Sequence, residues 1–251
     1  MNKLKNKVVI ITGASKGIGA SIAKLFAAEG AKVIVNYSSS KDAAEQVVKS
    51  INDIGGKAVA LQADMSKEED VIRLFKETVS TFKGLDILIN NAGIYNYEPV
   101  EAITVGSIQQ QLNINILGPL LTIREAVKLF GDRGGNIINI SSVAAELPLP
   151  TGSVYSATKA ALDALTISLS KEFAGRGIRI NSILPGVVET EGSRKAGFIG
   201  SEAEKEMITK TPLGRTGQPE DIAKVAVFLA SNESEWINGE RISVSGGIYG
   251  L

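Results

Sequence analysis

Tyr155 and Lys159 stand four residues apart in the stretch Tyr155-Ser156-Ala157-Thr158-Lys159. On a helix, that spacing puts both side chains on one face, about one turn apart. A free phenol ionises near pH ~10, too high for acid–base work near neutrality. A neighbouring ammonium favours the phenolate and lowers that value. The pair is therefore expected to pass a proton to or from an alcohol oxygen at neutral pH. Ser142 lies thirteen residues before Tyr155, and the chain must return past Pro148 and Pro150 to reach it. A serine hydroxyl is thereby placed to face the phenol. Each piece alone has a plainer reading. Tyr-x-x-x-Lys is also an ordinary exposed helix face, and a serine pair is also a turn or a helix cap.

Composition removes most rival chemistries. The chain has 251 residues, 44% of them hydrophobic, with no cysteine and no histidine. Thiol chemistry, disulfides, Ser-His-Asp hydrolysis and histidine-ligated zinc are excluded. Acid–base work falls to Tyr, Lys, Asp or Glu, and no metal is expected. Lys+Arg and Asp+Glu are both 27, a net charge of zero, which argues against a nucleic-acid or membrane-surface partner. Absence of cysteine fits an intracellular, cytoplasmic location. The first apolar run, Val8–Ile11, is too short for a signal-peptide core, and no run approaches membrane-spanning length.

The elements that must carry Tyr155 follow from hydrophobic patterning. Val8–Ile11 is wholly apolar, ends at Thr12-Gly13, and reads as a buried parallel strand. Helical periodicity over 18–29 stops at Gly30. Further strands are expected at 32–35, 58–61, 85–89, 136–140 and 178–184, alternating with helices at 42–54, 67–82, 105–130 and 154–173. Residues 186–211 read as polar and irregular; a helix over 219–230 and a short strand over 241–244 close the chain. Such alternation makes a doubly wound parallel sheet with helices on both faces. No linker, repeat or low-complexity tract divides it, so residues 1–251 read as one domain.

Three further motifs sit at strand ends. Thr12-Gly13-Ala14-Ser15-Lys16-Gly17-Ile18-Gly19 joins the first strand to the first helix. Its glycines allow a tight turn against a pyrophosphate, which the helix N-terminus would attract. Asn90-Asn91-Ala92-Gly93 ends the fourth strand, where open α/β sheets bind ligands. Asp64 follows the third strand and either accepts from an adenine amino group or caps the next helix.

In order and spacing, Thr-Gly-x-x-x-Gly-x-Gly, Asn-Asn-Ala-Gly, Ser142, Tyr-x-x-x-Lys and Pro185-Gly186 together resemble the short-chain dehydrogenase/reductase family over essentially the whole chain. Bacterial 3-oxoacyl-[acyl-carrier-protein] reductases and glucose or polyol dehydrogenases are the most similar groups. The resemblance implies a single-domain Rossmann-type sheet of seven strands in the order 3-2-1-4-5-6-7. It also implies a catalytic set of Asn115, Ser142, Tyr155 and Lys159. Asn115 is preferred over Asn113 because the family places a glycine three residues on, here Gly118. Tyr155 would transfer the proton, Ser142 would hydrogen-bond the reacting oxygen, Lys159 would lower the phenol and hold the nicotinamide ribose, and Asn115 would hold a water linking Lys159 to solvent.

The same resemblance implies the cofactor contacts. Gly13, Ser15, Gly17, Ile18 and Gly19 would line the pyrophosphate, with Asp64 and Met65 by the adenine and Asn91, Ala92 and Gly93 by its ribose. Pro185, Gly186, Val188 and Thr190 would hold the nicotinamide amide, beside Tyr155 and Lys159. Residues from about 189 to 210 match the family's substrate lid. One departure is Val244-Ser245-Gly246-Gly247, where the family usually ends Val-Asp-Gly-Gly.

The expected cofactor is NADP(H). NAD-specific folds place an acid near the end of the second strand; here Val35-Asn36-Tyr37-Ser38-Ser39-Ser40-Lys41 has none before Asp42. Asn36, Ser38 and Ser39 are expected near the 2′-phosphate, with Lys16 supplying charge. Expected substrates are small-molecule: a 3-oxoacyl thioester or a broad range of ketones, with a sugar or polyol as the alternative and a non-catalytic cofactor sensor as the rival of another class. Arg133 and Arg176 match the residues with which carrier-protein reductases dock their acidic carrier near the site mouth. Apolar positions around most of the Asn115 and Tyr155 helices, including Leu117, Leu120, Leu121, Ile123 and Val127 on the first, point to a homotetramer.

Overall fold

The computed structural model describes residues 2–248. In chain order its strands and helices are β1 (Val8–Ile11), α1 (Gly17–Ala28), β2 (Lys32–Tyr37), α2 (Lys41–Asn52), β3 (Lys57–Gln62), α3 (Glu68–Phe82), β4 (Ile87–Asn90), α4 (Val105–Leu112), α5 (Gly118–Phe130), β5 (Gly135–Ile140), α6 (Ser153–Phe173), β6 (Ile178–Pro185), α7 (Glu191–Lys195), α8 (Glu202–Thr209), α9 (Pro219–Ala230) and β7 (Arg241–Val244).

The strands form one parallel sheet in the order β3-β2-β1-β4-β5-β6-β7, as the sequence implied. Period-two alternation sends each central strand into two cores. Val9, Ile11, Val33, Val35, Ile87 and Ile89 pack with α1, α2 and α9. Val8, Ile10, Ile34 and Leu88 pack on the opposite face with α3 and α5. A strand buried on both faces needs no polar side, which is why these segments read as unbroken apolar runs.

Two stretches differ from the sequence reading. Residues 105–130 are not one continuous helix: a wide π-helical turn, Asn113–Leu117, separates α4 from α5. The cause is local. Pro119 has no N–H to return to the carbonyl of Asn115 four residues back, and the Gly118 N–H instead reaches the Asn113 carbonyl. Residues 186–211, expected to be irregular, contain α7 and α8. Each is started by a hydroxyl cap: Thr190 Oγ1 accepts from the Ser193 N–H at 3.1 Å, and Ser201 Oγ from the Glu204 N–H at 3.2 Å.

Helix α6 has an inverted face. Its buried residues include Ser156, Thr158, Lys159, Asp163, Thr166 and Ser170, whereas Ala157, Ala160 and Ala164 are exposed. Thr166 is paired across the sheet, whereas, among the described residues, the Ser156 hydroxyl and the Asp163 carboxylate are buried without a hydrogen-bond partner. Thr122 donates to Asn90, Asn90 to Asn139, and Asn139 to Thr166, which meets the Ser182 hydroxyl at 2.8 Å. This chain of hydrogen bonds fixes α6 against β4, β5 and β6, and so fixes what α6 carries.

Candidate active site

The carboxyl ends of the strands open into a cavity of about 1010 Å³, at the upper end of the usual range for ligand pockets. It runs from the β1–α1 turn, past the ends of β2 and β3, to Tyr155 and the 185–198 segment. The switch point of the sheet, between β1 and β4, lies at its centre.

At one end, three of the four expected catalytic side chains converge. Lys159 Nζ lies 5.7 Å from the centre of the Tyr155 ring. It donates to the Ile140 carbonyl at 2.8 Å, while Ser141 Oγ donates to the Lys159 carbonyl at 3.3 Å. The end of β5 thus grips the lysine at both ends. Burial pulls the ammonium down to about 8, opposed by the Asp163 carboxylate one turn further along α6. Asp163 is itself buried, and burial pushes its carboxyl up; nothing in the sequence spacing singled it out.

The phenol behaves differently from the sequence expectation. Burial pushes Tyr155 up to about 12. The Ser142 hydroxyl pulls it down, and the nearby Tyr97 and Tyr95 push it further up. Lys159 was expected to lower it, but its ammonium lies over the ring and is spent on a carbonyl.

Asn115 does not line the cavity. Its side chain is buried and bonded in full. Oδ1 accepts from the Ile94 N–H at 2.9 Å, and Nδ2 donates to the Ile94 carbonyl and to Thr158 Oγ1. It ties the π-helical turn to α6 and to the chain leaving β4. Its backbone carbonyl is the group that Pro119 cannot reach.

At the other end, every expected cofactor residue borders the cavity, from Gly13, Ser15, Lys16, Gly17, Ile18 and Gly19 to Val188 and Thr190. Backbone geometry explains the glycines. Gly17 has φ +56, and a Cβ on Gly19 would come within 2.5 Å of Asn91 Nδ2. A carboxylate, that of Glu191, already sits on the Gly17 N–H at 2.9 Å, so the turn accepts an anion where a pyrophosphate is expected.

Not all of these side chains are free to bind. Asn36 is buried; its Oδ1 accepts from the Gly13 N–H and its Nδ2 donates to the Tyr37, Leu61 and Ala63 carbonyls, so its role is to hold the turn. Asp64 does not cap α3, whose cap residue is Lys67 with no side-chain cap bond; its Oδ1 instead accepts from the N–H and the hydroxyl of Ser66 in the turn ahead of that helix. Asn91 Nδ2 donates to the Thr12 and Gly13 carbonyls. Arg133 and Arg176 lie away from the mouth. They precede β5 and β6, at the sheet edge opposite the strand ends that form the cavity, and donate to carbonyls at the end of α5.

One wall was missed by the sequence reading. Tyr95 and Tyr97 stand 5.9 Å apart between ring centres, each about 6 Å from Tyr155. With Ile94, Leu147, Leu149 and Phe198 they make the cavity beside the phenol aromatic and apolar. Two tyrosines directly after Asn-Asn-Ala-Gly, in a chain with five in all, were the available signal.

A phenol and a lysine at the end of a long cleft, set at the switch point of a doubly wound sheet, are an arrangement that a nicotinamide-dependent oxidoreductase could use. The comparisons agree. A family model described as Enoyl-(Acyl carrier protein) reductase matches residues 13–249. An uncharacterized oxidoreductase of Methylorubrum extorquens is 49% identical over 248 residues, covering 99% of this chain and 100% of that protein. The 3beta-hydroxysteroid dehydrogenase 1 of Eggerthella lenta is 40% identical, covering 98% and 94%. A crystal structure of a dehydrogenase/reductase from Sinorhizobium meliloti superposes with a TM-score of 0.93 at 36% identity, covering 98% and 96%. The chain belongs to the short-chain dehydrogenase/reductase family. Among the described residues, no helix is long and apolar enough to cross a membrane.

Proposed function

We propose that the chain is an NADP(H)-dependent enzyme that interconverts a ketone and a secondary alcohol, with Tyr155 as general acid and base. The observation that carries this reading is the gathering of Ser142, Tyr155 and Lys159 at one end of the cleft, against a wall that suits an organic substrate. When bound, the cofactor supplies or accepts the hydride. A phenol pushed up to about 12 is fully protonated near neutrality and is ready to donate to a carbonyl oxygen. Ser142 would stabilise charge on the same oxygen. Lys159, pulled down to about 8, remains mostly charged at pH 7 and would hold ribose hydroxyls with its ammonium. The Asn115 backbone carbonyl, which Pro119 cannot reach, would hold the water that links Lys159 to solvent. Cofactor choice rests on the end of β2: Ser38 and Ser39 border the cleft with Lys16, and no acid precedes Asp42.

The apolar wall ranks the substrates. Tyr95, Tyr97, Leu147 and Leu149 are all at least 37% exposed, an apolar patch with no role in the core. A polyol would find only the Tyr95 and Tyr97 hydroxyls as partners on this wall, fewer than its own hydroxyls need. An uncharged apolar ketone fits, in keeping with the name of the Eggerthella lenta relative. The carrier-protein reading loses Arg133 and Arg176 as docking groups within the subunit. A 3-oxo group on a small thioester remains compatible with the wall. Residues 189–210 would act as the lid, and the cytoplasm is the proposed location.

The enzyme would work as a homotetramer. Leu121, Ile123 and Val127 are covered by their own subunit, but Leu117 at the end of the π-helical turn and Leu120 on α5 remain exposed, as do Ala157, Ala160 and Ala164 on α6; light scattering reads the assembly. A panel of ring ketones, small 3-oxoacyl thioesters and polyols with NADPH or NADP+ tests the function. Turnover is expected to be fastest with the apolar ketones. Cofactor binding without turnover of any member would favour the sensor reading.

A further inference from the structure

Helix α1 begins without a cap of its own. Lys16 at its start makes no side-chain cap bond, and its first turn holds no acid. The positive end of the helix is served instead by Glu191, whose Oε2 accepts from the Gly17 N–H at 2.9 Å across 174 residues of sequence. The contact is shaped on both sides. A Cβ on Gly17 would come within 3.3 Å of Thr190 Cγ2, so the missing side chain makes room for the 190–191 segment.

Three consecutive residues there touch both halves of the cleft. Thr190 and Glu191 meet the glycine-rich turn, and a Cβ on Gly192 would lie 3.4 Å from Tyr95 Oη on the substrate wall. The segment is anchored just before this point. The Glu189 N–H donates to the Gly217 carbonyl at 2.9 Å, and the Glu189 carboxylate pairs with Arg194 and accepts from Gln218.

A diphosphate arriving at the turn needs the same amide and the same positive helix end. Two anions cannot share them without mutual repulsion. We propose that Glu191 is a displaceable internal anion. It holds the start of α1 while the cofactor is absent, and the diphosphate displaces it, which frees the 190–192 segment from the turn while it still borders Tyr95. The idea rests on the cofactor reading above and adds to it a residue that couples the two halves of the cleft.

Glu191→Gln keeps the size and the hydrogen-bond acceptor but removes the charge. Titration with NADPH, followed by nucleotide fluorescence, is expected to show roughly threefold to tenfold tighter binding than wild type, the scale of an exposed charge at a helix end. Thermal melts give the second reading. Without nucleotide, the variant should melt below wild type, because it has lost the charged cap; at saturating NADPH that gap should close. Equal or weaker NADPH binding by Glu191→Gln, or a melting gap that persists at saturation, overturns the proposal. If the wild-type protein bound neither NADPH nor NADH, the cofactor reading itself would fall, and this proposal with it.

Discussion

The two ends of the cleft are built in opposite ways. At the cofactor end, backbone does the work. Glycines without Cβ atoms, an amide-bearing helix start and the side chains of Asn36 and Asn91 brace a turn whose shape is fixed before any ligand arrives. At the substrate end, side chains do the work. Tyrosines, leucines and a phenylalanine from three separate segments meet around Tyr155, and Gly192, Ser193 and Met207 of two short helices border the same cavity. On the proposed reading, the first end would specify one ligand by geometry and the second would accept a class of ligands by apolar contact. Between them, α6 carries Tyr155 and Lys159 on a buried polar face that the sheet holds rigid.

If this division is right, substitutions in the fixed part should damage rate and cofactor binding together. The largest effect is expected for Lys159→Ala, which removes the charge beside the phenol and would remove the proposed ribose contact at once. A loss of more than about a hundredfold in kcat is expected, within the range for general acid–base groups, with weaker NADPH binding as well. Wild-type cofactor affinity in Lys159→Ala would break the link between the two halves.

A smaller effect is expected at the rim of the cofactor end. NADPH should be preferred over NADH about tenfold or more in kcat/KM, as one charge-assisted contact would give. Lys16→Ala should lower kcat/KM for NADPH and leave NADH nearly unchanged. Equal losses for both cofactors would show that Lys16 does not contact the 2′-phosphate.

The smallest effect concerns the energy stored in α6. Burial holds Lys159 at about 8 instead of the ordinary 10.5. Between those values the unfolded chain keeps a proton that the folded chain has lost, so the folded state gains stability as pH rises. Lys159→Met lacks this gain. The melting temperature of wild type relative to Lys159→Met should therefore climb from pH 7.5 to 10. A difference that is flat with pH would mean that the buried lysine is not strained.

The same division explains what the sequence revealed. Strands buried on both faces announce themselves as apolar runs, and glycines that allow close backbone approach keep a readable spacing, so the strands and the turn were legible; the sheet order came only with the family resemblance. Tyr155 and Lys159 were legible because a helix fixes what four residues apart means. Asn115 was found by its motif, but its setting was not: the π-helical turn follows from a missing N–H on Pro119, a signal present in the sequence and passed over. The Tyr95–Tyr97 wall had no motif, because apolar contact tolerates many residues at many positions. The direction of the Tyr155 shift could not be read at all, since burial depends on Tyr97, Tyr95 and the segments packed around them rather than on the lysine one turn away.

The central claim is that the Tyr155 hydroxyl moves the proton while the rest of the cleft binds the cofactor. Single-turnover oxidation of bound NADPH by an apolar ketone, measured for wild type and Tyr155→Phe, separates these two roles. The variant should bind NADPH within about twofold of wild type, because the ring remains, and its turnover step should slow by at least about a hundredfold. Turnover by Tyr155→Phe at near the wild-type rate would contradict the claim and move the proton to another group.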